Sequence, residues 1–220
     1  MERAQFFLRI FKTMLEALGP SGWWPADSPF EVAVGALLTQ NTNWKNVAKA
    51  INALKNAGAL SEQNFDQFSQ EELEDLIRPA GYYKQKAQRL RIFVEFLRLR
   101  ADGDILNLSH WDIQDARRAL LRVKGIGPET ADSILCYALD MPILVVDAYT
   151  ARIFSRHGLV SEDVDYHSLQ SEIMDVLPQD VSLFNEYHAL LVRVGNGWCK
   201  RKAGLCETCP LQPFLYSEMS

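Results

Sequence analysis

The chain is short of positive charge. Its 220 residues carry 23 Lys and Arg against 28 Asp and Glu, a formal net charge of −5. This excludes a protein that gathers nucleic acid by bulk charge, and leaves local patches and backbone amides for any such contact. Long hydrophobic runs are missing as well. No apolar stretch approaches the ~20 residues of a membrane-spanning helix, so no membrane partner is expected. The opening MERAQFFLRIFKTMLEAL is amphipathic and carries acids, which argues for a helix and against a signal peptide. Cysteine is sparse: there are four, three of them between Cys199 and Cys209. Such crowding does not resemble a disulfide framework, and a cytoplasmic, reducing location fits better. No strand period recurs, and there is no internal repeat or low-complexity linker. What is present is 48% hydrophobic residues in helical patterns. That marks a globular chain, long enough for one large all-α domain or two small ones sharing a core.

The most informative stretch is LRVKGIGPETADSILCYALDMPILVVDAYTARI, residues 121–153. Gly125-Ile126-Gly127 interrupts a pattern that is helical on both sides. Two glycines so close leave the backbone bare and tolerate positive φ. Pro128 suits a first helical position, because its missing N–H would be unpaired there anyway. Ala131, Ile134, Leu135 and Ala138 then fall on one helical face. The reading is helix, tight hairpin, helix, with bare amides at the second helix's start where a phosphate can sit. The apolar run Ile143-Leu144-Val145-Val146 then delivers Asp147 to the start of another helix.

Residues 3–18 form an amphipathic helix that Gly19-Pro20-Ser21-Gly22 ends. Trp23-Trp24-Pro25 follows in a loop, either as a plug between helical halves or as an aromatic platform. Residues 29–38 read as a buried helix. Thr42 or Asn43 caps the next one, which starts at Trp44 and stops at Gly58. Residues 66–77 read as an acidic, poorly capped helix, broken at 78–83. Lys84, Lys86, Arg89 and Arg91 lead the following helix to Arg100. A charge run of this kind is usually a solvated face, but an aromatic directly before it suits nucleic acid. Further helices are expected at 111–121, 149–158, 167–177 and 183–195.

KGIGPETA resembles the helix-hairpin-helix of the endonuclease III superfamily of DNA glycosylases. VVDAYTARI resembles the segment that holds that family's catalytic aspartate, here Asp147. The order and spacing of the two match as well. The resemblance implies an all-α fold of two helical lobes with the active cleft between them. A six-helix barrel would cover residues 25–140, with the hairpin at 115–139. Residues 1–24 would pack with a C-terminal lobe at 141–198, and a cysteine loop would occupy 199–220. Gln40, in LLTQNT, would enter the gap left by a flipped base, and Tyr82, in GYYKQKAQRL, would wedge between bases. Lys124, Gly125, Gly127 and Glu129 would meet DNA at the hairpin.

One position departs from the pattern. Bifunctional members carry a lysine two residues after the second hairpin glycine, and it forms a Schiff base with the sugar. Glu129 stands there, and a carboxylate cannot act as that amine. Its plain role is an acid in the first turn of a helix, favoured by the macrodipole. Glu129 followed by TADSILCYA looks more like the 3-methyladenine glycosylase branch, which is monofunctional. That branch has a similar WWP lining its base pocket, which implies pocket roles for Trp23, Trp24 and Pro25. Trp44 corresponds to a further pocket aromatic. Its plainer role is a half-buried helix residue.

Cys199-x6-Cys206-x2-Cys209 matches the first three ligands of the family's iron–sulfur loop. The fourth would fall at position 215, where Leu215 stands. Four thiolates are the usual holder of a [4Fe–4S] cluster. Cys136 reads as a small core residue. A cluster with a non-cysteine fourth ligand, a zinc site and an empty vestige all stay open, and the spacing favours the cluster.

The expected activity is that of a monofunctional DNA N-glycosylase, a monomer that starts base excision on double-stranded DNA containing damaged bases. A duplex buries the glycosidic bond, so the nucleotide must be flipped out. Stacking on Trp23, Trp24 and Trp44 favours an electron-poor ring such as an alkylated purine. Asp147, ionised, would stabilise the positive charge that develops on the sugar. One rival is a bifunctional glycosylase/lyase acting on oxidised pyrimidines, which would need another lysine such as Lys124. A second rival is a non-catalytic helix-hairpin-helix module that grips DNA and has no need of Asp147. An all-helical protein with no DNA role would leave the paired glycines and the WWP loop as accidents.

Overall fold

Local side chains set most of the helix starts. The computed structural model describes residues 2–215, and the fold is all-α, with ten α-helices among the described residues. They form two compact units: Trp24–Met141, and Met1–Trp23 together with Pro142–Ser220.

The Trp24–Met141 unit is built on α2 (Pro29–Thr39). Ser28 caps it by accepting from the Glu31 N–H at 3.1 Å, and Pro29 opens it. Phe30 to Leu38 are buried without interruption, and the one charged member, Glu31, pairs with Lys55 at 2.7 Å. Around it pack α3 (Trp44–Asn56), capped by Asn43, and α5 (Tyr83–Arg100). The helix expected over 66–77 differs from the reading. Residues Phe65–Gln67 are a 3-10 turn, and α4 (Gln70–Ile77) begins with a full capping box in which Ser69 and Glu72 satisfy each other's backbone N–H. The acidic helix is therefore well capped. Beyond α5, the helix expected at 111–121 starts two residues late. Residues Ile105–His110 are 3-10, and Asp112 caps α6 (Ile113–Leu121).

The hairpin joins α6 to α7 (Pro128–Ser133). The second helix does not stay α-helical: Ile134–Ala138 is a π-helical turn, the wider register that recurs at functional positions. Arg117 on α6 and Asp132 on α7 form a two-pronged ion pair at 2.6 and 3.0 Å, with the carboxylate fully buried. It staples the two arms of the hairpin together.

The other unit packs α1 (Glu2–Leu18) against α8 (Ala148–Arg156), α9 (Tyr166–Met174) and α10 (Val181–Gly197). Phe7 stacks on Phe154 at 5.7 Å, and the buried Tyr187 hydroxyl donates to the Phe7 carbonyl at 3.0 Å. The Ile143–Val146 run is buried but not helical, so its backbone needs partners. α9 supplies them at Leu144: Gln170 donates to its carbonyl at 2.6 Å, and its N–H meets the Met174 sulfur at 3.3 Å. This pinned segment fixes where Asp147 emerges.

Candidate active site and hairpin loops

Asp147 is the N-cap of α8. Its Oδ1 accepts from the Thr150 N–H at 2.8 Å and the Thr150 hydroxyl at 3.0 Å. The side chain is 10% exposed, and Oδ2 faces His188 Nε2 of α10 at 3.6 Å. Burial alone would push this carboxyl up. The His188 imidazole and the two Thr150 bonds outweigh it and hold the group below the usual carboxylate value. The arrangement is a carboxylate kept charged in a largely dry place, which is what stabilises a developing cation.

In the hairpin turn the two glycines do different things. Gly125 has φ +95°, and a Cβ there would meet the Arg89 side chain at 2.7 Å. Gly127 is ordinary extended backbone and the N-cap of α7, with open space where a Cβ would go. Lys124, Gly127 and Glu129 are exposed.

Gln40 is tied to the same turn. Its amide donates to the Gly125 carbonyl at 2.9 Å and the Thr130 hydroxyl at 3.0 Å, and its carbonyl accepts from Arg89. Tyr82 is 67% exposed at the N-cap of α5, with a left-handed φ of +47°. A non-glycine residue held there costs about 1–3 kcal/mol, a strain that concentrates at working positions. Asn41, next to Gln40, is also left-handed at φ +55°.

Lys86 connects these two loops. It is 2% exposed, and its Nζ donates to the Leu38 carbonyl at 2.8 Å and the Ala80 carbonyl at 2.9 Å, just before Gln40 and Tyr82. Burial, and then the Arg89 charge, push its amine down from the ordinary 10.5 to about 8. Between those values the unfolded chain binds more protons than the folded one, so this group's contribution to stability rises with pH. Melting curves of wild type and Lys86→Met from neutral to alkaline pH should show the gap moving in favour of wild type. A gap independent of pH would mean that Lys86 does not titrate as a buried amine.

Trp24 and Trp44 meet edge to face at 5.0 Å and 88°, and Tyr137 of the π turn lies against Trp24 at 5.3 Å and 46°. Trp24 also covers Gly35, where a Cβ would sit 3.0 Å from its ring. Pro25 is exposed. Trp23 belongs to the other unit, where its backbone N–H donates to the Ser21 hydroxyl at 3.1 Å and Ser21 is held by both oxygens of Glu186 at 2.7 Å.

Cys199, Cys206 and Cys209 line one cavity whose other walls include Ile153, Trp198 and Leu215. Arg156 donates to the Cys199 sulfur at 3.3 Å and to the carbonyls of Lys200 and Arg201, and the Leu211 N–H meets the Cys209 sulfur at 3.4 Å. Burial pushes the Cys209 thiol up against the pull of that N–H, and the other two thiols add to the rise. Among the described residues no three Cys, His, Asp or Glu side chains gather as tightly as a single metal ion needs. Three thiols thus stand around one cavity, with N–H donors on two of the sulfurs. His157 also lines the cavity, but each of its ring nitrogens already faces a carbonyl oxygen, Ile153 at 2.7 Å and Leu211 at 3.3 Å.

His188, Tyr137, Arg89, Lys86 and Thr130 were not singled out by the sequence reading as site residues. Each earns its place through a partner far along the chain. The Thr150 bonds to Asp147 are local, and a Thr three residues after an N-cap Asp is a signal that could have been used.

A glycine turn stapled between two helices, with an ionised carboxylate opening a helix downstream, defines a helix-hairpin-helix protein built for nucleic-acid chemistry. The chain belongs to the HhH-GPD superfamily of base excision DNA repair proteins, whose family description matches residues 34–179. It is a base excision repair DNA glycosylase of that superfamily. A candidate DNA repair glycosylase of Methanocaldococcus jannaschii is 42% identical over 216 residues, 97% of each chain. Endonuclease III of Thermotoga maritima is 30% identical over 184 residues, 84% of this chain and 81% of that one. Among solved structures, Helicobacter pylori 3-methyladenine DNA glycosylase bound to 1,N6-ethenoadenine matches with TM-score 0.75 and 28% identity, covering 89% of this chain and 98% of that one. An endonuclease III–DNA covalent intermediate has the same fold, with TM-score 0.82 at 20% identity over 97% and 95% of the two chains.

Proposed function

We propose that the protein is a monofunctional DNA N-glycosylase that hydrolyses the bond between deoxyribose and a damaged, alkylated purine in double-stranded DNA. The observation that carries the reading is Asp147, a largely buried carboxylate held ionised at the N-cap of α8. The bare turn at Gly125 and Gly127, with Lys124, would take the DNA backbone. Gln40 and Tyr82 would fill the gap behind the flipped nucleotide. Trp24, Trp44 and Tyr137, with Pro25, would receive the base, and electron-rich ring faces favour a cationic purine. As the base leaves, positive charge builds on the sugar. Asp147 stabilises it, and water completes the hydrolysis. The ethenoadenine-bound relative, 28% identical, supports an altered purine as substrate.

Glu129 supports hydrolysis without strand cleavage, since a carboxylate forms no Schiff base. Lys86 does not replace the missing amine: it is buried, with its Nζ on two carbonyls. The test is borohydride reduction during reaction with lesion-containing duplex, together with chromatography of the free base. Free base with no trapped protein–DNA adduct is the expected result. An adduct would establish the bifunctional reading, with the exposed Lys124 as its first candidate amine.

Cys199, Cys206 and Cys209 would hold an iron–sulfur cluster, with Leu215 in the fourth cysteine's place. A bound cluster would crosslink the loop that carries Lys200, Arg201 and Lys202. Anaerobic purification should give a brown protein with broad visible absorption and several irons per chain. A colourless, iron-free protein that is folded and active would make the loop a relic.

A further inference from the structure

His188 sits where the chemistry would need help. α10 is fixed on either side of it. Glu186 takes both the N–H and the hydroxyl of Ser21 at 2.7 Å, and Tyr187 donates to the Phe7 carbonyl at 3.0 Å. The helix is therefore held at this residue, which is 7% exposed. Across from it, Asp147 has divided its oxygens. Oδ1 is used up by the two Thr150 bonds, and Oδ2, the oxygen left for a substrate, faces His188 Nε2 at 3.6 Å.

We propose that His188 is a positioning residue for Asp147: with a proton on Nε2, its ring holds Oδ2 in place and keeps the carboxylate charged on the acid side of neutrality. This rests on the reading of Asp147 as the catalytic carboxylate. A carboxylate shielded this far from water tends to take up a proton, and a neutral Asp147 cannot stabilise a sugar cation. Among the described residues, the groups found to act on its charge are His188 from α10 and the neutral Thr150 from its own helix. Thr150 fixes Oδ1 at every pH. Among the described residues, His188 is the group found facing the oxygen that would work. A plain packing role for the ring, filling space between α8 and α10, predicts something different: a loss of rate that is the same at all pH values.

The experiment is single-turnover base release from acid below pH 3.8, the ordinary value of this carboxyl, to alkaline pH, on the lesion duplex that wild type processes fastest. Wild type, His188→Leu, His188→Gln and Asp147→Asn are compared, each with a melting curve. The proposal predicts that the acid limb of His188→Leu moves up by about one pH unit or more, so at pH values under both limbs its release falls about tenfold or more below that of wild type. On the alkaline side, where the carboxylate is ionised with or without the ring, the rates should come within about threefold, and binding of the duplex should not change. His188→Gln, a neutral donor, should fall between the two. A uniform loss, or an acid limb that coincides with wild type, overturns the proposal. If His188→Leu does not fold, His188→Gln decides, and its acid limb must lie above that of wild type. If Asp147→Asn still releases base, or wild type releases none, the catalytic reading falls and this proposal with it. If Asp147→Asn is dead while the His188 limbs match wild type, only the role of His188 is wrong.

Discussion

Asp147→Asn should give a folded protein that binds duplex DNA and releases damaged bases roughly a hundredfold more slowly, or worse. Asn is as good an N-cap as Asp. Its carbonyl can accept from the Thr150 N–H and hydroxyl as Oδ1 does now. The fold should therefore lose no more than about 1 kcal/mol. The activity loss is large because the charge is gone from a place 10% exposed, where an electrostatic contact is worth far more than in water. The stability difference has a sign that can be checked. The Asp147 carboxyl lies below its ordinary value of 3.8, so the stabilisation it brings is present above that pH and is lost as pH falls through the folded value. The melting gap between wild type and variant should then shrink in strong acid. A variant that keeps its rate would leave Asp147 with nothing but the cap.

The hairpin glycines should separate DNA grip from folding. Gly127→Asp adds a side chain in open space at an N-cap, where Asp is favoured. The free protein should be as stable as wild type. Its affinity for undamaged duplex should fall about tenfold or more, because a carboxylate now stands where a phosphate must approach. Gly125→Ala acts through the fold instead. It demands a φ of +95° from alanine and drives a methyl into Arg89. Arg89 also holds Gln40, so this variant should lose stability as well as binding. Titrations with undamaged duplex and melting curves of both variants check the pair. Full binding by a folded Gly127→Asp would mean that the grip lies elsewhere.

The hairpin and the N-cap Asp147 were legible because each rests on local chemistry. Glycine, proline and capping residues act within a turn of themselves. The same reasoning should have found the Ser69–Glu72 capping box, which is written plainly as S-x-x-E before an apolar helix. The π turn at Ile134–Ala138 was not legible, since one extra residue per turn leaves the apolar pattern of ILCYA unchanged. Nor were the long-range partners. Gln40 reaches residues 49 to 90 positions away, Lys86 closes onto Leu38, and Arg156 crosses to the cysteine loop. The basic run after Tyr82, whose pairing with an aromatic suits nucleic acid, is mixed: Lys84 is exposed, Lys86 is buried, and Arg89 lies under Gly125.

The most direct test of a glycosylase without lyase activity uses end-labelled duplexes, each carrying a single alkylated purine. Each is incubated with the protein and then run with and without hot alkali. The account predicts an intact strand before alkali and a clean break at the lesion after it, as a bare abasic site requires. A strand cut at the lesion without alkali, or no alkali-sensitive site on any alkylated purine, would contradict it.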